Sequence, residues 1–438
     1  MDAAYASLVK IFENYSLSTK TIIYLGVILV LAYIVLVLMK KIKMPAVVGY
    51  VFLGILISPM TLKFFHIFPH QFFVEDNMIR EILDFIPDLV LAFVAFIIGY
   101  ELRVDVMKRQ GKSILIIVLL ESVLAFLFVF IGMNLFISKF WPNLGISSMP
   151  ISLVLGAVAS ATAPAATVMV LKEYHARGPL TSTILSVVGM DDAAALMIYS
   201  FAAPTAMAML TGVSLTPANI MIHSILHPLM EISLALGLGF LSGLLWLKIL
   251  SKSKSNSVVI MGVIASIIFN AAIANYLKIS PLLFNMAAGF ASSNFMKRKV
   301  DFDGTLKVIM EPLYALLFVI SGMKLNVGLF GNGIFVVAGF VYLIARIGGK
   351  IVGASTGAIL GKALPPVRKY VGFGLMSQVG VAIALAYQVE RQFRAQPILG
   401  STVFNILLFT TIFTELIGPV LVKRAIFKAG EAQTTGTK

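Results

Sequence analysis

The fold class predicted for this chain is an all-α integral membrane protein, and three observations carry it. Of its 438 residues, 59% are apolar. Only 12% are charged, against about 25% in a soluble domain. The apolar residues gather into thirteen runs near the length of about 20 residues that a helix needs to cross a bilayer. Backbone polar groups inside a membrane must be satisfied within the segment, so the runs are helices. A soluble globule and a disordered chain are both excluded. The formal net charge is +14. In a membrane protein such an excess marks cytoplasmic loops, so lipid and not nucleic acid is the expected surrounding. There is no cysteine and there are only five histidines. That excludes a disulfide framework, a cysteine nucleophile and a thiolate metal site, and leaves little for a histidine cluster. Neither a resident cofactor nor an enzyme activity is expected.

The runs, taken in order, are 21–39, 45–60, 83–102, 113–137, 150–171, 180–204, 227–250, 257–277, 281–296, 308–329, 333–361, 367–389 and 398–422. The second and the ninth are short. No signal-peptide cleavage pattern precedes the first, and the segment after the last is too short for a nucleotide-binding module. Lysine and arginine orient the runs. Loops after odd-numbered runs, with the C-terminal tail, hold twenty-two, among them Lys40, Lys41, Lys43, Arg103, Lys108, Arg109, Lys112, Lys297, Arg298, Lys299 and Lys307. The N-terminal tail and the loops after even-numbered runs hold eight. This bias predicts an N-terminus outside and a C-terminus in the cytoplasm.

An internal repeat is legible. The third run ends Gly99-Tyr100-Glu101-Leu102-Arg103-Val104 and the tenth ends Gly322-Met323-Lys324-Leu325-Asn326-Val327. Pro45, Gly54 and Ser58 of the second run match Pro281, Gly289 and Ser293 of the ninth. Matched runs lie seven apart, an odd number, so they cross in opposite directions. Runs 1–6 and 8–13 are therefore inverted repeats joined by run 7, a plan common among secondary transporters.

Ionisable groups at membrane depth are costly and point to function. Asp191 and Asp192 lie in run 6, Asp191 about 18 Å along the helix from Pro179 at 1.5 Å per residue. Two adjacent carboxylates there repel, so one needs a cation or a proton. Neighbours on a helix diverge by about 100°, so the pair cannot share one proton as a protease dyad does. One is expected to hold a structural cation and the other to exchange ions and protons. Arg346 and Lys350 of run 11 share a helix face and are the candidate cations. Glu121 of run 4 is either an ion-pair partner of Arg346 or a protonated acid. Gly349, Gly353, Gly357 and Gly361 recur every four residues, a ladder that allows close helix packing.

Run 5 contains Ser160-Ala161-Thr162-Ala163-Pro164, where Pro164 removes an amide and frees the Ser160 carbonyl. Run 12, its mate in the repeat, carries Gly372, Gly374, Ser377, Gln378 and Gly380, with Gly380 opposite Pro164. Interrupted helices at matching places point to a transport site. Their opposed ends need compensating charge, which an intramembrane lysine would supply at the carbonyl ends.

Thr162-Ala163-Pro164-Ala165, Asp191-Asp192, Gly349-Lys350-Ile351-Val352-Gly353 and Gln378-Val379-Gly380 together resemble the monovalent cation:proton antiporter-2 family. More closely, they resemble bacterial sodium/proton antiporters of the NhaA/NapA fold, over about residues 20 to 425. The resemblance implies that Asp192 binds the sodium ion and the proton, that Asp191 pairs with Lys350, and that Thr162 is a polar group at the unwound crossing. Ala163 stands where relatives often have serine or aspartate, and Arg346, one turn before Lys350, is a rival partner. The potassium-exporting branch typically has glutamine for the first aspartate and a nucleotide-binding tail, which favours Na+ or Li+ as cargo here.

The implied organisation is a segment 1–20 outside, a scaffold and dimer domain (21–102 and 257–329), a linker helix (227–250), a moving ion-transport core (113–204 and 333–425) and a cytoplasmic tail (426–438). A homodimer in a bacterial inner membrane is expected, exchanging Na+ or Li+ for H+ by alternating access. The alternatives are a sodium-coupled symporter of an organic anion and a K+/H+ antiporter. A channel is disfavoured by the lack of a repeated filter.

Overall fold

The structure, a computed structural model, describes residues 16–42, 44–58, 61, 77–211, 226–253, 255–296 and 302–432. Most of the outer segment 1–20, the end of the tail, Lys43 and the basic cluster 297–299 lie outside the described residues, as do the side chains of Lys108, Arg109 and Lys307. The described residues are α-helical with short 3-10 turns. The helices are α1 (Leu17–Lys41), α2 (Ala46–Leu56), α3 (Asn77–Glu101), α4 (Val104–Phe140), α5 (Ser148–Ala159), α6 (Pro164–Glu173), α7 (Pro179–Leu210) and α8 (His227–Leu250). They continue as α9 (Asn256–Tyr276), α10 (Pro281–Phe295), α11 (Phe302–Lys324), α12 (Gly333–Leu360), α13 (Pro365–Tyr370), α14 (Gly380–Gln392) and α15 (Pro397–Lys428).

Helices stand at all thirteen apolar runs. By length and composition, seven of the described helices are able to cross a membrane, and the bent pair α13–α14 makes an eighth. The repeat mates α2 and α10 have 11 and 15 residues. Run 5 is divided between α5 and α6. Exposed apolar side chains such as Ile22, Val30, Tyr33, Leu241, Leu245 and Met261 give these helices a lipid-facing surface.

Local chemistry sets the boundaries. Pro164, Pro179, Pro281, Pro365 and Pro397 open helices at the first position, where a missing amide costs nothing. Ser280 and Asn332 cap α10 and α12 by accepting from Leu283 N at 3.3 Å and Ile334 N at 3.0 Å. Gly111, at φ 79°, kinks α4 and separates its first two turns from the apolar span.

The chain divides into two compact units, Met1–Val90 with Leu306–Gly331, and Leu91–Thr305 with Asn332–Lys438. The expected split into scaffold and moving core divides the chain at different places. In the first unit α1 packs on α2, where Gly49 faces Val35 and Met39, and Gly54 lies against Gly322. In the second unit Gly99 lies against Met286 and Gly289 against Phe96. Each repeat-matched glycine thus supports a close backbone approach, and run 2 meets run 10 as run 9 meets run 3.

The core of the second unit is a sandwich of α4, α6, α7, α12, α13 and α15, with Ile117, Val170, Ile184, Ala354, Val371 and Val422 buried among them. The glycine ladder packs α12 along α4: Gly349, Gly353, Gly357 and Gly361 face Ala125, Glu121, Ile117 and Ser113 in turn. The descending partner numbers make the pair antiparallel. A Cβ at position 353 would lie 2.6 Å from Glu121 Cα. Gly353→Ala is therefore expected to cost roughly 1–3 kcal/mol of overpacking. Gly348→Ala, whose Cβ would lie 3.6 Å from Phe128, is expected to be neutral or mildly stabilising. Thermal unfolding in detergent checks the contrast, and equal shifts would contradict the ladder's role.

Candidate functional site

The site forms where the two broken helices meet in the second unit. Run 5 loses its helix after Ala159, and Pro164 begins α6. Run 12 passes through a 3-10 turn (Val371–Leu375), unwinds, and resumes at Gly380 with a bend of 47°. Ala163 N donates to Ser377 O at 2.8 Å, so the two unwound stretches bond directly. Thr167 Oγ1 donates to Gly374 O at 3.0 Å and joins them again.

Unwinding leaves carbonyls that lipid cannot satisfy. Arg346 takes four of them. Its guanidinium donates to Ala159 O at 3.1 Å and Ala161 O at 2.8 Å from run 5. It donates as well to Met376 O at 2.7 Å and, at 3.5 Å, to Ser377 O from run 12. The planar fork of five donors suits an arginine to this task. Gln378 Nε2 donates to Val158 O at 2.9 Å and holds the Tyr342 hydroxyl. Ser160 Oγ donates to Ser122 O at 2.9 Å. The expectation that a lysine compensates the carbonyl ends holds for one carbonyl and is corrected for others: Lys350 takes the Ser160 carbonyl, while Arg346 takes those of Ala159, Ala161 and Met376 and shares that of Ser377 with Ala163 N.

Lys350 instead sits between two carboxylates. Its Nζ lies 2.5 Å from Glu121 Oε2 and 3.3 Å from Asp191 Oδ2, all three side chains being fully buried. Ser122 Oγ donates to Glu121 Oε1 at 2.8 Å. Of the two readings of Glu121, the ion pair with Arg346 is corrected: the cation beside it is Lys350. The ladder sets Glu121 opposite Gly353, one turn from Lys350, while Arg346 points at the crossing. Lys350, not Arg346, is the partner of Asp191.

Asp192 differs from its neighbour. It is 7% exposed where Asp191 is 0%, and among the described residues Lys350 pairs with Asp191 and no cation pairs with Asp192, although Oδ1 of each aspartate lacks a hydrogen-bond partner. The backbone of Thr162 lies against it, while the Thr162 side chain faces Asp191. Thr162 is itself buried. The structure thus brings Asp191, Asp192, Thr162, Ser160, Lys350, Glu121, Arg346 and Gln378 to one crossing, with Pro164 and Gly380 as the first residues of the resumed helices.

One acidic residue was missed by sequence reasoning. Glu415 of α15 is 2% exposed, faces Ser377, and is one turn beyond the buried Thr411. Its signal was the one that picked out Glu121, a carboxylate inside an apolar run. Around the crossing four buried carboxylates (Glu121, Asp191, Asp192, Glu415) now face two buried cations (Arg346, Lys350). Fully ionised, the cluster carries two uncompensated negative charges.

The lysine's two contacts yield a test. Lys350→Met leaves buried carboxylates unpaired and is expected to cost about 3–5 kcal/mol. Adding Glu121→Gln should recover more of that loss than adding Asp191→Asn, because the Glu121 contact is the shorter. Thermal stability of the two double variants decides it. Additive losses, or the opposite order, would contradict the arrangement.

A family model described as sodium/hydrogen exchanger, transmembrane, matches residues 26–428. The fold is similar to that of the sodium proton antiporter MjNhaP1 from Methanocaldococcus jannaschii at pH 8, with a TM-score of 0.69 and 18% identity over 93% of this chain and 98% of that one. An electron-microscopy structure of the same antiporter gives a TM-score of 0.68 and 16% identity over 96% of this chain and 100% of that one. No curated protein sequence matches.

Proposed function

The chain belongs to the transmembrane sodium/hydrogen exchanger family, and on that premise we propose that it exchanges Na+ or Li+ for H+ with Asp192 as the shared seat. The observation that carries this reading is the inequality of the two aspartates. Asp191 has its cation in Lys350 at 3.3 Å, while Asp192, the slightly more exposed of the two, lies against the Thr162 backbone with no cation paired to it among the described residues. A carboxylate in that setting attracts a small cation or a proton, and either one excludes the other. Thr162 and the neighbouring unwound carbonyls supply further hard oxygen donors of the kind such ions accept.

The excess of two negative charges bears on stoichiometry. If one Na+ leaves as two protons enter, each cycle moves net charge, so the exchange is electrogenic. In this proposal spans 4–6 and 11–13 form the moving core and spans 1–3 and 8–10 the scaffold and homodimer interface, the core shifting as a rigid body to alternate access. The N-terminus faces outside and the C-terminus faces the cytoplasm, in a bacterial inner membrane.

The test is flux in proteoliposomes under an imposed pH gradient, read by a pH dye, with current recorded on a solid-supported membrane after a cation jump. Sodium or lithium should drive proton movement with a transient current, and potassium should not. Response to potassium alone would move the assignment to a K+/H+ exchanger. Uptake of an organic anion with sodium, without counter-movement of protons, would overturn it.

A further inference from the structure

The end of the chain is built into the start of the aspartate helix. Pro179 is the first residue of α7, and Gly178 before it has no side chain to cap the free amides of Leu180 and Thr181. The cap comes from 250 residues further on. Glu431 accepts from Leu180 N at 2.7 Å through one carboxylate oxygen. Its other oxygen accepts from Thr181 N at 2.7 Å and from the Thr181 hydroxyl at 2.7 Å. Its backbone carbonyl accepts from Arg177 N at 3.0 Å. Glu431 is 7% exposed, and no open space remains for a Cβ at Gly178, which has φ 156°.

The delivery is equally specific. α15 closes with Gly430 at φ 72°, where Gly430 N donates to Phe427 O at 3.1 Å and Glu431 N to Ile426 O at 3.0 Å. That is a glycine-terminated helix end, which turns the chain back at Glu431. One turn earlier, Tyr174 at the end of α6 meets Phe427 edge-on at 5.2 Å and lies under Lys423 at 4.8 Å. The last turns of α15 therefore close over the connection between α6 and α7.

We propose that Glu431 is a positioning residue for cation exchange, fixing the angle between α6 and α7 and thereby the spacing of Thr162 from the two aspartates. This rests on the ion-site reading above. α6 carries Thr162 beside its start, and α7 carries Asp191 about 18 Å from Pro179. The clasp sits at the closed end of this V. A tilt of about 5° there moves the far end of such a rod by about 1.5 Å. Sites of this kind tolerate about 0.5 Å. Loss of the carboxylate also removes negative charge from the positive end of the helix.

The experiment measures sodium-driven exchange by the purified full chain for Glu431→Ala, Glu431→Gln and Glu431→Asp, alongside hydrogen exchange at the Leu180 and Thr181 amides. Glu431→Ala should raise the KM for sodium at least about fivefold with kcat changed less than about twofold, and the two amides should lose protection. Glu431→Gln should behave like the alanine variant, because its NH2 group faces amide donors. Glu431→Asp should restore part of the KM, and it carries the test if the other variants fail to fold. Lost amide protection with an unchanged KM would reduce Glu431 to a structural cap and overturn the proposal, as would unchanged protection. Absence of any sodium/proton exchange by the unaltered protein would instead overturn the ion-site reading beneath it.

Discussion

Asp192→Asn abolishes sodium-dependent proton movement, by at least about 100-fold, in a protein that stays folded. A factor of 100 corresponds to about 2.7 kcal/mol, a modest demand for removing the one full charge that both ligands need. The amide has nearly the carboxylate's shape, so packing around Thr162 is kept. It neither binds a proton in this range nor offers a formal charge to sodium. The Lys350 pairs with Glu121 and Asp191 do not involve it, so thermal stability should change little or rise, since a repelling charge beside Asp191 is gone. Proteoliposome flux together with an unfolding midpoint measures both halves. Robust exchange by the variant would sink the assignment of Asp192.

Arg346→Met is expected to have the largest effect on stability. The guanidinium serves four carbonyls, two from each broken helix, at full burial. Ser377 O keeps the Ala163 amide, and each of the other three carbonyls left without a donor costs about 1–3 kcal/mol. Relaxation of the unwound stretches recovers part of that sum, so a loss of about 3–5 kcal/mol is expected, with exchange lost as the crossing deforms. Arg346→Lys should be intermediate, because an ammonium has three donors and no planar fork. Thermal unfolding in detergent measures the series. An Arg346→Met variant as stable as the parent would mean that the crossing holds itself together without the arginine.

How much of this was legible in the sequence depends on the kind of information required. Apolar runs of membrane length, Pro164, and the glycines around Gly380 located the helices and both breaks, because those features act locally. The four-residue glycine period located a close helix contact. It did not name the facing helix or its register, and register decides that Glu121 meets Lys350. Arg346 and Lys350 share a face, so spacing alone left open which one serves the carbonyls and which the carboxylates. The three-dimensional crossing resolves it: Arg346 is level with the ends of both half-helices, and Lys350 is one turn along, beside α4. Glu415 carried a readable signal, an acid within an apolar run. Glu431 carried none, since it lies past the last run and caps a helix 250 residues earlier in the chain.

The central claim is that one buried carboxylate holds either the cation or a proton. The most direct measurement is proton release on cation binding by purified protein in weakly buffered detergent solution, followed with a pH indicator. Adding sodium chloride should acidify the solution saturably, choline chloride should not, and Asp192→Asn should release nothing while Asp191 and Lys350 remain in place. Sodium binding without proton release, or release that persists undiminished in Asp192→Asn, would contradict the account.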